Sequence, residues 1–357
     1  MTIAAVRCHS VKAALHTPFV TALRRTSVVE SLLVEVVDSD GCHGFGEAPQ
    51  VWAVTGDSVA GSRACVDGPL STVLVGADPD DLNSTLRRVS DAAVGNMAAK
   101  SAADVALHDL VARRLGIPLT RLLGGVTHRV PTDVSVAAGD VAQVTEAAQT
   151  RVAEGFDVLK LKVGASADDD ANQVLAVRQA VGPQPRLRLD ANQGWSPREA
   201  VRVISELEDA GTDIELVEQP VRADDMAGLA WVTDRVQTPV MADESVFGLR
   251  DLLRLIDRRA ADSVNVKLAK CGGLAPARTL LGLARAHDMG TMVGSMMETH
   301  VGVGAAASLV AAVGTTTISD LDAAWWVANP PVVGGVRYEG ATVVLPDAPG
   351  LGIELES

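Results

Sequence analysis

FDVLKLKV (156–163), LRLDAN (187–192) and IELVEQP (214–220) are three short apolar runs, each with a charge one or two residues from its end, and the segments between them carry apolar residues at helical spacing. The same texture extends in both directions. TDVSVAA (132–138) precedes them, and TPVMADES (238–245), DSVNVKLAK (262–270), TMVGSMME (291–298) and TTISDLDA (316–323) follow. Intervening segments such as PREAVRVISELEDAG and APARTLLGLARAHDMG place apolar residues at i, i+3, i+4 and i+7, one face of a helix. Eight apolar runs alternating with helical segments predict a parallel barrel of strand–helix units.

Upstream the pattern differs. Ala4 to His9 alternates, Ser27 to Asp38 is rich in Val, Leu and Glu with a period of two, and a DSDG turn (Asp38 to Gly41) leads into CHGFGEA. From Pro69 to Leu115 the periodicity becomes helical, notably through NMAAKSAADVALHDLVARRLG. Strands followed by helices predict an α+β unit. After Trp326 the chain turns Gly- and Pro-rich, with short strands predicted to return to the first unit. The expected organisation is an α+β cap over 1–125, a barrel over 126–325 and a tail over 326–357.

The 357 residues are 47% apolar and 21% charged, a globular composition. With 31 Lys and Arg against 45 Asp and Glu the net charge is −14, which argues against broad nucleic-acid binding. No apolar run is long enough for a membrane helix, and the N-terminus lacks the pattern of a signal peptide. Cys8, Cys42, Cys65 and Cys271 are scattered with no CxxC spacing, as expected of free thiols in a reducing cytoplasm. Only six of the basic residues are Lys, and four of those six fall in LKLKVG and NVKLAK. Arg holds its charge, whereas Lys can give up a proton when its surroundings depress its pKa.

In such barrels chemistry gathers at the C-terminal ends of the strands. The second run carries Lys160 and Lys162, and the third ends in Asp190 and Asn192. Glu218 ends the fourth, Asp243 and Glu244 the fifth, and Lys267 lies on the sixth. Glu298 ends the seventh, and Asp320 and Asp322 the eighth. Asp190, Glu218 and Asp243 on consecutive strands would repel one another unless a cation lies between them, and an all-oxygen set favours Mg2+. Lys162 and Lys267 lie four strands apart, on opposite walls of an eight-stranded barrel. Two opposed lysines suit a 1,1-proton transfer in which one removes a proton and the other returns it to the opposite face. Lys160 shares the face of Lys162 and is expected to depress its pKa.

KLK (160–162), LDANQGW (189–195), VEQP (217–220), ADES (242–245), VKLAKCGG (266–273) and GSMMET (294–299) together resemble the muconate-lactonizing subgroup of the enolase superfamily, over the whole chain. The resemblance implies an α/β fold: a modified TIM barrel, (β/α)7β, with an α+β capping domain formed by the N-terminal region and the C-terminal tail. It implies Asp190, Glu218 and Asp243 as Mg2+ ligands and Lys162 and Lys267 as the acid/base pair acting through an enediolate. Asn192, Lys160 and Glu298 become candidate substrate contacts, with Lys270 less so. Within the subgroup three features resemble dipeptide epimerases. Asp320-Leu321-Asp322 is similar to the DxD motif that holds a dipeptide's α-ammonium, and two carboxylates away from the metal triad suit a cation. TPFVTALRRT (17–26) places Arg24 where alanyl-glutamate epimerases hold the glutamate side chain, with Arg25 adjacent. EAPQVWAVTGDS (47–58) resembles the second cap loop, with Thr55 as its candidate contact. Trp52, and His300 where those epimerases tend to carry Lys, depart from the pattern and are expected to reshape the side-chain pockets. The expected activity is Mg2+-dependent epimerisation of an L,L-dipeptide, L-Ala-L-Glu first, in a cytoplasmic homo-oligomer. The alternatives are o-succinylbenzoate synthase, N-acylamino acid racemase or muconate cycloisomerase chemistry on the same scaffold.

Overall fold

A computed structural model describes residues 1–21 and 24–355. Ala22 and Leu23 of the TPFVTALRRT stretch, and the last two residues of the expected tail, lie outside the described residues. The chain begins with three antiparallel strands, β1 (Ile3–Val20), β2 (Arg25–Asp38) and β3 (His43–Pro49). The DSDG turn joins β2 to β3: Asp38 Oδ1 accepts from the backbone N–H groups of Asp40 and Cys42, and Gly41 adopts φ 84°. The first two strands reach further than the sequence pattern predicts. Phe19 pairs with Thr26 and Val20 with Arg25, so the hairpin runs into TPFVTALRRT and carries Thr21 and Arg24 at its tip.

A long helix, α1 (Met97–Arg114), packs across this sheet and is buried at nearly every position, as its lack of a polar face demands. Its Ala-rich surface meets β3 at Gly44 and Gly46. A Cβ at Gly46 would lie 2.0 Å from the carbonyl oxygen of Ala102, and one at Gly44 2.2 Å from the backbone nitrogen of Leu110. The two glycines of HGFGE therefore set the distance between helix and sheet. Replacing Gly46 by Ala should destabilise the protein by at least the ~1–3 kcal/mol typical of overpacking, read as a lower denaturation midpoint.

The barrel contains seven parallel strands in sequence order: Val134–Val136, Val158–Lys162, Arg186–Asp190, Ile214–Glu218, Val240–Ala242, Ser263–Lys267 and Gly290–Gly294. Helices follow each of them, from Val141–Ala153 to His300–Val313. The eighth run makes no continuous ladder. Ser319 bridges to Thr132, two residues ahead of the first strand, and Asp320 to Gly294 in the seventh, so single parallel bridges join it to both sides. Register places Lys162 beside Asp190 and Asp190 beside Glu218 at one level of the rim. Below them Arg188 is fully buried, donating to Asp133 (2.8 Å), Glu215 (2.6 Å) and the carbonyl of Ile318 (2.7 Å).

Three buried carboxylates tie the cap to the rest of the chain. Glu47, on β3, accepts from the backbone and hydroxyl of Thr299 (2.9 and 2.6 Å) and from Gly302 N–H (2.9 Å), capping the last barrel helix. Asp104, on α1, accepts from Leu274 N–H (2.7 Å) at the start of the helix Leu274–Ala286. Asp109 accepts from Phe45 and Leu351 N–H, joining β3 to the tail. The tail also touches β1, where Val327 bridges to Leu15. Its strand Thr342–Val344 pairs with Arg129–Pro131. No helix among the described residues is long and apolar enough to cross a membrane.

Candidate active site

The C-terminal ends of the barrel strands and the tips of the cap enclose one cavity. Lys162, Asn192, Asp243, Glu244, Lys267, Asp320 and Asp322 line it from the barrel, and Phe19, Thr21, Arg24 and Val54 from the cap. The backbone at the strand ends is left-handed at three non-glycine positions, Asn192 (φ 41°), Gln193 (71°) and Gln219 (36°). Such residues cost ~1–3 kcal/mol each. Here Gln219 repays the conformation by orienting its neighbour: its Oε1 accepts from the backbone N–H of Asp243 (2.9 Å) and Ser245 (3.1 Å).

All three expected metal-binding carboxylates are buried at the rim, each drawn to an ammonium. Lys162 Nζ donates to Asp190 Oδ2 (2.6 Å) and Lys267 Nζ to Asp243 Oδ2 (2.8 Å). Lys270 is held by the carbonyl and Oδ1 of Asp243 and the carbonyl of Asn265. Glu218 receives Asn265 Nδ2 at 2.8 Å and lies 2.7 Å from Lys160 Nζ. In this arrangement no three carboxylates among the described residues converge closely enough to chelate one ion. Their chemistry nevertheless fits a hard divalent cation: every candidate donor is a carboxylate or amide oxygen, and two buried oxygens beside them, Glu244 Oε2 and Asn192 Oδ1, have no hydrogen-bond partner among the described residues.

Electrostatics follow the lysines. Burial alone would raise the carboxyl of Asp190, but Lys162 and Lys160 hold it below its ordinary value; Lys267 and Lys270 do the same for Asp243. Glu218 is raised, by burial and by the charges of Asp190 and Asp243. Glu244 is pushed up to about 8 by burial and the same two neighbours. Burial works against the charge on Lys267, yet Asp243 and Glu218 hold it well above the usual lysine range. At Lys267 the surrounding carboxylates outweigh both burial and the neighbouring Lys160.

Asp320 and Asp322 both line the cavity, held by different donors. Asp320 Oδ2 accepts from Lys160 (2.7 Å); Asp322 Oδ2 accepts from Ser135 N–H (2.7 Å) and Trp326 Nε1 (2.9 Å). Among the described residues nothing donates to the second oxygen of either. Arg24 lines the cavity and has no carboxylate partner among the described residues, whereas Arg25 faces a separate groove with Val20 and Arg151.

Other expectations are corrected. Lys160 is fully buried beneath the rim, 2.7 Å from Asp320 and Glu218 and 3.3 Å from Asp190, and makes no wall of the cavity. Thr55 turns into its own loop, donating to the carbonyl of Val51 and accepting from Asp57 N–H, and Val54 reaches the cavity instead. Glu298 folds back to accept from Met296 N–H and lies against Gly302, away from the cavity. Burial and the charge of Glu47 push its carboxyl up to about 8. Trp52 is 67% exposed, and neither it nor His300 lines the cavity. Sequence reading missed Phe19, Ser135, Met296 and Met297 as lining residues. Ser135 shares the inward parity of Asp133 two residues earlier, a signal that alternation along the first strand carries.

A capped barrel with paired lysines above a carboxylate rim defines an enzyme site built for moving protons next to a carboxylate. Residues 3–124 match the mandelate racemase / muconate lactonizing enzyme N-terminal domain and residues 143–357 the enolase C-terminal domain-like family, and the chain belongs to this family of the enolase superfamily. It is 40% identical to the L-Ala-D/L-Glu epimerase of Clostridium acetobutylicum over 95% of each chain. Its fold matches a substrate-liganded complex of the L-Ala-D/L-Glu epimerase from Bacillus subtilis with a TM-score of 0.96, at 40% identity over 99% of both chains. It also matches the dipeptide epimerase of Enterococcus faecalis complexed with Mg and the dipeptide L-Leu-L-Tyr, with a TM-score of 0.95 and 37% identity over 99% of both chains.

Proposed function

We propose that this protein is a Mg2+-dependent dipeptide epimerase that inverts the α-carbon of the C-terminal residue of an L,L-dipeptide. The observation that carries this reading is the convergence of Lys162, Lys267, Asp320 and Asp322 on one cavity. Asp190, Glu218 and Asp243 would hold the cation, which would stabilise negative charge developing on the substrate's carboxylate. One lysine takes the α-proton at its Nζ and the other delivers a proton to the opposite face. Both are paired here with the carboxylates assigned to the cation, so their proton affinity depends on what else those carboxylates hold.

Formal charge supports the same reading. With every group ionised, four ammonium groups (Lys160, Lys162, Lys267, Lys270) face six carboxylates (Asp190, Glu218, Asp243, Glu244, Asp320, Asp322), a formal excess of two negative charges that a divalent cation would help to ionise. A divalent cation together with a zwitterionic dipeptide supplies two positive charges. An N-acylated substrate would leave Asp320 and Asp322 without the ammonium their second oxygens await.

Arg24 brings a further charge that only an acidic substrate side chain would neutralise, so L-Ala-L-Glu is the first substrate to test. An Arg24→Met variant should lose about 10–100-fold in kcat/KM on L-Ala-L-Glu, the worth of one charge-assisted hydrogen bond. Dipeptides with an uncharged second residue should be little affected. The function itself is tested by mass spectrometry of deuterium uptake from D2O across a dipeptide library in the presence of Mg2+. Exchange confined to the C-terminal α-position is expected. Exchange only with N-acylamino acids, or none with any dipeptide, overturns the reading.

A further inference from the structure

Glu244 lies next to Asp243 in the turn after the fifth barrel strand, a turn fixed by Ser245 N–H on Gln219 and Val246 N–H on the carbonyl of Asp243. It is 4% exposed and lines the same cavity as Asp243, Asn192 and Lys267. Its contacts are poor for so buried a carboxyl. Among the described residues Oε1 accepts only from Asn192 Nδ2 at 3.3 Å, Oε2 has no hydrogen-bond partner, and no ammonium or guanidinium pairs with either oxygen. Asn192 Oδ1, at its side, is equally buried and unpartnered.

A carboxyl kept for structure looks different in this molecule. Asp170 receives Gly164 N–H and Trp195 Nε1, both at 2.8 Å, and Glu47 and Asp104 each cap a helix. Leaving a buried acceptor unpaired costs ~1–3 kcal/mol, and same-sign neighbours at Asp243 and Asp190 add to the cost. Two adjacent unpartnered oxygens, one on a carboxyl and one on an amide, are the acceptors that a hard divalent cation or its water shell satisfies.

We infer that Glu244, with Asn192 beside it, belongs to the divalent-cation site and adds a fourth carboxylate to Asp190, Glu218 and Asp243; this rests on the cation site proposed above. Its contribution is made before substrate arrives. The test is therefore calorimetric titration of the metal-free full chain with MgCl2 alone, paired with thermal melts in EDTA. Glu244→Gln should weaken Mg2+ binding by about tenfold or more, equivalent to at least ~1.4 kcal/mol. Its melting temperature in EDTA should equal or exceed that of the wild type, since an amide relieves repulsion and can donate. Glu244→Asp keeps the charge on a shorter arm and should fall between the two in affinity. Unchanged Mg2+ affinity in Glu244→Gln, with or without a lower melting temperature in EDTA, overturns the inference and leaves the three-carboxylate site standing. A wild-type chain that binds no Mg2+ instead overturns the reading of the site itself.

Discussion

Lys162→Ala and Lys267→Ala should each abolish epimerisation in both directions, lowering kcat by the ~10²–10⁴-fold typical of losing a positioned acid or base. Each should still fold, because neither ammonium lies in the fully buried layer beneath the rim. The diagnostic is asymmetry. The lysine that remains faces one side of the α-carbon, so a single variant should exchange the α-proton of one epimer with D2O and leave the other untouched. The complementary variant should show the reverse preference. Proton NMR of the L,L and L,D dipeptides in D2O reads both. Equal exchange of both epimers by either variant would mean that the two lysines do not divide the faces between them.

Asp320→Asn combined with Asp322→Asn should lower kcat/KM on dipeptides by about 10²–10⁴-fold. Each carboxylate offers one charge-assisted contact, worth ~1.5–3 kcal/mol, to the substrate's ammonium. The effect should fall mainly on KM for dipeptides. N-acyl dipeptides, which present no cation, should gain relative to the free forms. The two single variants should differ. Asp322 Oδ2 holds Ser135 N–H and Trp326 Nε1, which an amide oxygen can still accept, whereas Asp320 Oδ2 balances the buried Lys160. Asp320→Asn should therefore also lower the melting temperature, and Asp322→Asn much less. Full activity of the double variant on free dipeptides would exclude the assignment of this pair.

The barrel was legible because its signal repeats. Acids and lysines recur at the end of each strand–helix unit, and that spacing survives any local irregularity. Seven of the eight runs form strands of one parallel sheet, and the eighth, reduced to bridges at Ser319 and Asp320, still brings its two aspartates to the rim. What alternation cannot report is depth. Lys160 and Lys162 share the inward face, but two residues along a strand is about 6.6 Å, enough to put one ammonium at the cavity and the other in the buried layer below. Direction is also lost once a strand ends. Glu298 and Thr55 lie in turns where parity no longer says which way a side chain points, and both fold back onto their own segments. The length of the β1–β2 hairpin escaped notice because Pro18 and the residues around it break the period of two that announces a strand.

The carboxylates Glu47, Asp104 and Asp109 give the cap three fixed moorings, two of them at the starts of barrel helices. A cap moored in this way leaves the hairpin tip around Arg24 and the loop around Val54 as its contributions to the cavity, while the groups that handle protons sit on the barrel. On the reading proposed above, the substrate's second side chain meets the cap tips, whereas its ammonium and its α-carbon meet groups of the barrel. Grafting the two cap tips from a relative with another dipeptide preference would change what this protein accepts while its proton-handling lysines stay where they are.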